Sequence, residues 1–130
     1  MFSILVAEDD LKRWQSVYEG SFARANRESG IDYQTRYVTT GAGLLEEGRT
    51  GKYGLIVTDN NMEDNVKGVD VIRNLRTSGI DVPIFLICDL HKRPDVGETE
   101  YIDKSDFDNF VFAEKVRPYF EKARDQTTGG

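Results

Sequence analysis

Leu55-Ile56-Val57-Thr58-Asp59-Asn60-Asn61-Met62 is the stretch whose reading decides the fold. A short run of three apolar residues and a threonine leads straight into a single aspartate, and two amides and a methionine follow at once. Such a run suits a strand buried on both faces, as in a parallel sheet covered by helices. An aspartate at the carboxyl end of such a strand lies where open α/β sheets place their ligand crevice. Taken alone, the stretch reads equally well as a strand ending in a turn, because Asp and Asn are common turn residues. The flanking sequence decides between the two.

Upstream, residues 2–7 form a first apolar run, stopped by Glu8-Asp9-Asp10. Burying those carboxylates unpaired would be costly, so the strand ends there with its acids turned to solvent or to a cation. Asp10 reads as the N-cap of a helix over residues 11–28, with Leu11, Trp14, Tyr18, Phe22 and Ala25 as its core-facing stripe. Ser29-Gly30 terminates it. In residues 31–38, Ile31, Tyr33, Thr35 and Tyr37 occupy alternate positions, the pattern of an edge strand. Residues 39–50 hold a weaker helix anchored by Leu44 and Leu45, and a glycine-bounded turn returns the chain to the Asp59 strand.

Downstream, a polar loop over residues 63–68 leads to a helix marked by Val69, Ile72 and Leu75, with Arg73 and Arg76 on its outer side. Residues 82–88 form another central-type strand, with Pro83 at its entrance, where a missing N–H is tolerated. Residues 89–99 are polar, carry Pro94 and Gly97 as breakers, and show no helical stripe. Residues 100–103 are a short strand ending at Lys104. A last helix over 106–124 should turn Phe107, Phe110, Val111, Val116 and Phe120 inward and kink or break at Pro118. The strands alternate with helices, apart from a fourth crossover that lacks one. This predicts an α/β, flavodoxin-like, doubly wound parallel sheet of five strands in the order 2-1-3-4-5, with the fourth helix short or missing.

Composition limits the function. A chain of 130 residues implies one domain with a real core, expected over residues 1–124, with 125–130 as a flexible tail or linker end. A formal net charge of −6 and a pI near 4.8 argue against direct binding of nucleic acid. Cys88 is the sole cysteine, which excludes an internal disulfide and fits a reducing compartment. No apolar run is long enough for a membrane span and no basic leader opens the chain, so the expectation is a cytoplasmic protein.

In the order 2-1-3-4-5 the carboxyl ends of strands one, three, four and five surround one crevice. Glu8 and Asp9 arrive from the first, Asp59 from the third, Cys88 from the fourth and Lys104 from the fifth. Three close carboxylates repel one another unless a cation joins them, and an all-oxygen set without His or thiolate clusters selects Mg2+. A lysine on the opposite side would hold a phosphoryl oxygen. These parts suit a carboxylate nucleophile attacking phosphorus.

With these residues the chain resembles, over essentially its whole length, the receiver domains of two-component response regulators. The matching stretches are residues 4–10, residues 55–62, residues 83–88 and Tyr101-Ile102-Asp103-Lys104. The resemblance implies that Asp59 is the phosphoacceptor, that Asp9 binds Mg2+ directly and Glu8 through water, and that the backbone carbonyl of Asn61 completes the protein ligands. It implies further that Lys104 pairs with the phosphoryl group and that Tyr101 swings inward on activation. The partners it implies are a sensor histidine kinase or phosphotransfer protein and a downstream target or output domain, with no membrane role. Such a domain catalyses only its own phosphorylation and dephosphorylation.

Several residues depart from the family pattern. Cys88 stands where receivers carry Thr or Ser, and a thiol is a weak hydrogen-bond donor. Ser105 replaces the proline after the lysine, Glu63 replaces the proline after the methionine, and Gly68 arrives one residue late. Residues 89–99 are too short and too polar for the usual fourth helix, so the surface that partners read in the family should differ. These departures leave open an atypical receiver acting as a phosphorylation-independent interaction module. A small phosphohydrolase is disfavoured because no acid–base residue stands near Asp59. The lone histidine, His91, reads as an exposed loop residue.

Overall fold

A computed structural model describes residues 1–128. The strands are β1 (Phe2–Ala7), β2 (Tyr33–Val38), β3 (Leu55–Thr58), β4 (Ile84–Cys88) and β5 (Glu100–Asp103). The helices are α1 (Leu11–Ala25), α2 (Gly41–Gly48), α3 (Gly68–Thr77) and α4 (Asn109–Thr128), with a 3-10 turn at Lys104–Asp106. All strand pairs are parallel, in the order β2-β1-β3-β4-β5. β1 and β3 lie centrally in register, Leu5 beside Ile56 and Ala7 beside Thr58. The expected flavodoxin-like sheet is the fold, and the β4–β5 crossover contains no helix.

Alternation along the strands divides the core into two layers. Ile4, Val6, Val57, Phe85 and Ile87 face α1 and α4, where Tyr18, Phe22, Phe112, Val116 and Phe120 form an aromatic-rich layer. Leu5, Ala7, Ile56, Leu86 and Cys88 face α2 and α3, meeting Leu44, Val71, Ile72 and Leu75. β3 and β4 are buried along their whole lengths, which is why their sequences read as continuous runs and not as alternation.

Three expectations about the helices need correction. Asp10 occupies the N-cap position of α1, but its side chain makes no capping bond; the Asp10 N–H instead donates to Glu8 Oε2 at 3.1 Å. α4 begins at Asn109, capped by Asp108 Oδ1, which accepts the N–H groups of Phe110 and Val111 at 2.8 and 3.1 Å. Its buried face is Phe112, Ala113, Val116 and Phe120, at three- and four-residue spacing, and Phe110 and Val111 fall off that face, 54% and 53% exposed. Phe107 precedes the helix and packs edge-on against Trp14. Finally, α4 runs unbroken through Pro118 to Thr128, so residues 125–128 are helical; Gly129 and Gly130, also assigned to the tail, lie outside the described residues.

Candidate phosphoryl-transfer site

The carboxyl ends of β1, β3 and β5 meet at one open cleft of ≈ 370 Å³, lined by Asp9, Asp59, Asn61, Asp89 and Lys104, with Trp14 and Arg13 of α1 at its side. Glu8 and Asp59 are buried and Asp9 is exposed. One oxygen from each of these carboxylates lies within 4.8 Å of the other two. Lys104 Nζ donates to Glu8 Oε1 and to Asp59 Oδ2, both at 2.9 Å. The four charged groups arrive from three strand ends, Glu8 and Asp9 from β1, Asp59 from β3 and Lys104 from β5, and strand order brings them together.

Burial is the main influence on Glu8. Together with the charge of Asp59 it outweighs the Lys104 hydrogen bond and pushes the Glu8 carboxyl up from 4.5 to about 7. Burial works to lower the Lys104 pKa, but hydrogen bonds to Glu8 and Asp59 overcome it and raise the net value. The Tyr18 hydroxyl lies 3.3 Å from Glu8 Oε1, and burial followed by the Glu8 and Asp59 charges drives its pKa upward. Three carboxylates thus gather around one lysine ammonium, which bonds two of them. Hard oxygen donors fit Mg2+, with Glu8, Asp9 and Asp59 as the side chains able to hold it.

Asp59 is fixed by its neighbours. Its N–H donates to the Ala7 carbonyl at 2.9 Å, and its Oδ1 accepts the Asn60 N–H at 2.6 Å. Asn60 anchors the start of α3: its carbonyl accepts the Gly68 N–H at 2.9 Å and its Oδ1 accepts the Val69 N–H at 3.1 Å. Gly68 packs so closely on this loop that a Cβ there would lie 2.2 Å from the Asp59 carbonyl oxygen. These roles of Asn60 and Gly68 were not legible from residue order, because their partners are set by the loop's fold. Asn61 lies beside the cleft, its side-chain oxygen taken by Lys67 Nζ at 3.0 Å.

Cys88 and Tyr101 lie next to this centre on the α2–α3 side of the sheet. The Cys88 thiol is buried, and burial aided by Asp59 pushes it up to about 11, so it remains a protonated thiol. The Tyr101 hydroxyl donates to the Cys88 carbonyl at 3.1 Å, accepts the Leu90 N–H at 3.1 Å and lies 3.4 Å from Asp103 Oδ2. His91, 74% exposed, places Nδ1 3.0 Å from the same Asp103 oxygen. Ser105 donates its N–H and its hydroxyl to Asp103 Oδ1 at 3.1 and 2.6 Å; a proline there would have neither donor. Glu63 accepts the Thr39 hydroxyl at 2.9 Å and so ties the β3–α3 loop to the β2–α2 loop.

The helix-less crossover is held by side-chain knots that the sequence did not reveal. Glu98 is buried in a polar run, its oxygens accepting the Val96 N–H at 2.7 Å, the Asp95 N–H at 3.2 Å and Arg93 Nε at 2.9 Å. Arg76 of α3 donates to the carbonyls of Gly97, Ile80 and Val82 at 2.7–2.9 Å.

No protein-family model matches the sequence, and no curated protein sequence matches it. Solved structures match along nearly the whole chain. The receiver domain of a Francisella response regulator is 23% identical, with a TM-score of 0.75 over 95% of this chain and 99% of its own. The response regulator TrrA from Thermotoga maritima, in complex with Mg2+–BeF, is 26% identical, with a TM-score of 0.72 over 92% of this chain and 99% of its own. The receiver domain of a sensor histidine kinase from Pseudomonas aeruginosa, with magnesium coordinated in its active-site cleft, is 21% identical, with a TM-score of 0.70 over 92% and 98%. No helix among the described residues is long and apolar enough to cross a membrane. The chain has the fold of the response-regulator receiver domains.

Proposed function

We propose that this domain is a signalling receiver that accepts a phosphoryl group on Asp59 from a sensor histidine kinase or phosphotransfer protein and passes the change to a downstream partner. One observation carries the reading: three carboxylates converge within 4.8 Å, and one lysine ammonium stands 2.9 Å from both Glu8 and Asp59. In the reaction, a carboxylate oxygen of Asp59 attacks the phosphorus of the donor and forms a P–O bond. The bond from phosphorus to the leaving group breaks, and the leaving group, imidazole or acetate, departs with the electron pair. Lys104 supplies a positive charge to the phosphoryl oxygens. An Mg2+ ion held by Glu8, Asp9 and Asp59, with the Asn61 carbonyl, would supply further positive charge to those oxygens. The chain acts on itself and turns over no separate substrate.

Switching would have to work through Tyr101, whose hydroxyl is bound to Cys88, Leu90 and Asp103. Inward movement of the ring requires those bonds to be released. Cys88 offers only a thiol to the phosphoryl group, so the bond that would reward release is weak. This observation favours a second reading, an interaction module whose partners bind without phosphorylation.

Intact mass after incubation with acetyl phosphate and Mg2+ separates the two. The first reading requires one added phosphoryl group, absent from Asp59→Asn. An unmodified parent protein supports the interaction module, and an Asp59→Asn variant labelled as fast as the parent removes Asp59 from its role.

A further inference from the structure

Lys104 has a third neighbour besides Glu8 and Asp59. Its Nζ lies 4.4 Å from the centroid of the Trp14 ring. Trp14 comes from α1, and its ring is itself braced: Phe107 meets it edge-on at 5.2 Å and Tyr18 lies at 5.8 Å. Tyr18 in turn packs against Phe112 at 6.0 Å, and Phe107 against the same ring at 5.4 Å. The indole is therefore fixed by the aromatic layer while one side of it borders the open cleft.

The electron-rich face of an indole attracts an ammonium, most strongly where water is excluded, and the Lys104 side chain is only 14% exposed. This attraction differs in kind from that of the carboxylates. Glu8 and Asp59 compete with an incoming phosphoryl group for the lysine, and their charge changes when a cation or a phosphoryl group arrives. The ring stays neutral through such events and leaves the charge of the ammonium intact.

We propose that Trp14 is a positioning residue for phosphoryl transfer, its ring face holding the Lys104 ammonium at the side of the cleft where a phosphoryl oxygen on Asp59 meets it. This rests on the reading of Asp59 as the phosphoryl acceptor. Arg13, 5.8 Å from the same ring, is a weaker second cation there.

The test compares the parent with Trp14→Leu, Trp14→Met and Trp14→Phe in the full chain. The readouts are the labelling rate with acetyl phosphate at saturating Mg2+, the Mg2+ dissociation constant by calorimetry, and the NMR shift of the Lys104 ε-methylene protons. In the parent, the ring should move those protons upfield. In Trp14→Leu they should return to the ordinary lysine range, labelling should slow about three- to thirtyfold, and Mg2+ affinity should stay within about twofold. Trp14→Phe, which keeps an aromatic face, should recover most of the rate. If Trp14→Leu does not fold, Trp14→Met serves as the apolar replacement.

The proposal is overturned by a parent protein without the upfield shift, or by a leucine or methionine variant labelled at the parental rate. It is also overturned if the phenylalanine variant is as slow as leucine, because then packing and not the ring face is responsible. An equal loss of Mg2+ affinity and rate would place the effect on the carboxylates. A parent that takes no phosphoryl group removes the reaction itself, and that failure is recognisable because it appears before any substitution at Trp14.

Discussion

Gly68 shows how one residue sets the position of another that is remote in sequence. It has no Cβ, and α3 therefore starts directly against the Asp59 carbonyl, where an added carbon would stand 2.2 Å from the oxygen. Nothing flexible lies in the way, since the obstacle is backbone. Gly68→Ala should push the start of α3 off the Asp59–Asn60 loop and cost about 1–3 kcal/mol, read as a lower urea midpoint at unchanged slope. A variant as stable as the parent would mean the loop gives way freely. The acids at the ends of β1 and β3 were legible in the sequence because they terminate apolar runs, and Lys104 because it closes the last short strand. Gly68 and Asn60 were not, because their partners are close in space and carry no periodic signal. Trp14 was read as one member of a core stripe, which describes its edge but not the face that meets Lys104.

Among the elements, the β4–β5 crossover departs furthest from a regular α/β unit. Absence of a helical stripe in residues 89–99 was legible, and no helix forms there. What replaces the helix was hidden, because a buried glutamate in a polar run looks like a solvated one. Burial alone would raise the Glu98 pKa, but hydrogen bonds from Val96 and from Arg93 outweigh it and hold the carboxyl below its ordinary 4.5. A depressed carboxyl contributes stability that is present above the unfolded value and lost as pH falls through the folded one. The parent should therefore exceed Glu98→Gln by about 1–3 kcal/mol near neutral pH. That difference should shrink as pH falls below 4.5 and through the lower folded-state value, followed by paired thermal melts. A gap independent of pH would show that Glu98 acts through packing and not through its charge. α4 teaches the complementary lesson. Its helical character was plain and Val116 and Phe120 are buried as expected, but Phe110 and Val111 lie off the face that those two residues share with Phe112 and Ala113.

Across the whole molecule, a sheet covered on both faces delivers its strand ends to one rim, and acidic groups gather there in a chain of net charge −6. Lys104 offsets only part of the repulsion among Glu8, Asp9 and Asp59, so a cation bound there would add to global stability. With Mg2+ at about ten times its dissociation constant, the folded state should gain about 1.4 kcal/mol. For a chain of this size that is a rise of about 5 °C in melting temperature. Asp9→Asn should reduce the rise, and a melting temperature indifferent to millimolar Mg2+ would argue against a cation site. The fold order was legible because strand burial and crossover length leave few topologies, whereas the ties between layers come from side chains that sequence order does not pair. The knots around the crossover have one more consequence. Arg76 grips carbonyl oxygens of residues 80, 82 and 97, and Arg93 that of Glu98, groups present whatever side chain the residue bears. Those ties lie at residues 80, 82, 97 and 98, so substitution of the exposed Leu90 and Lys92 side chains should leave the shape of the crossover intact. The outer surface of this crossover is thus where the scaffold can vary most freely while the acidic cleft beside it keeps its geometry.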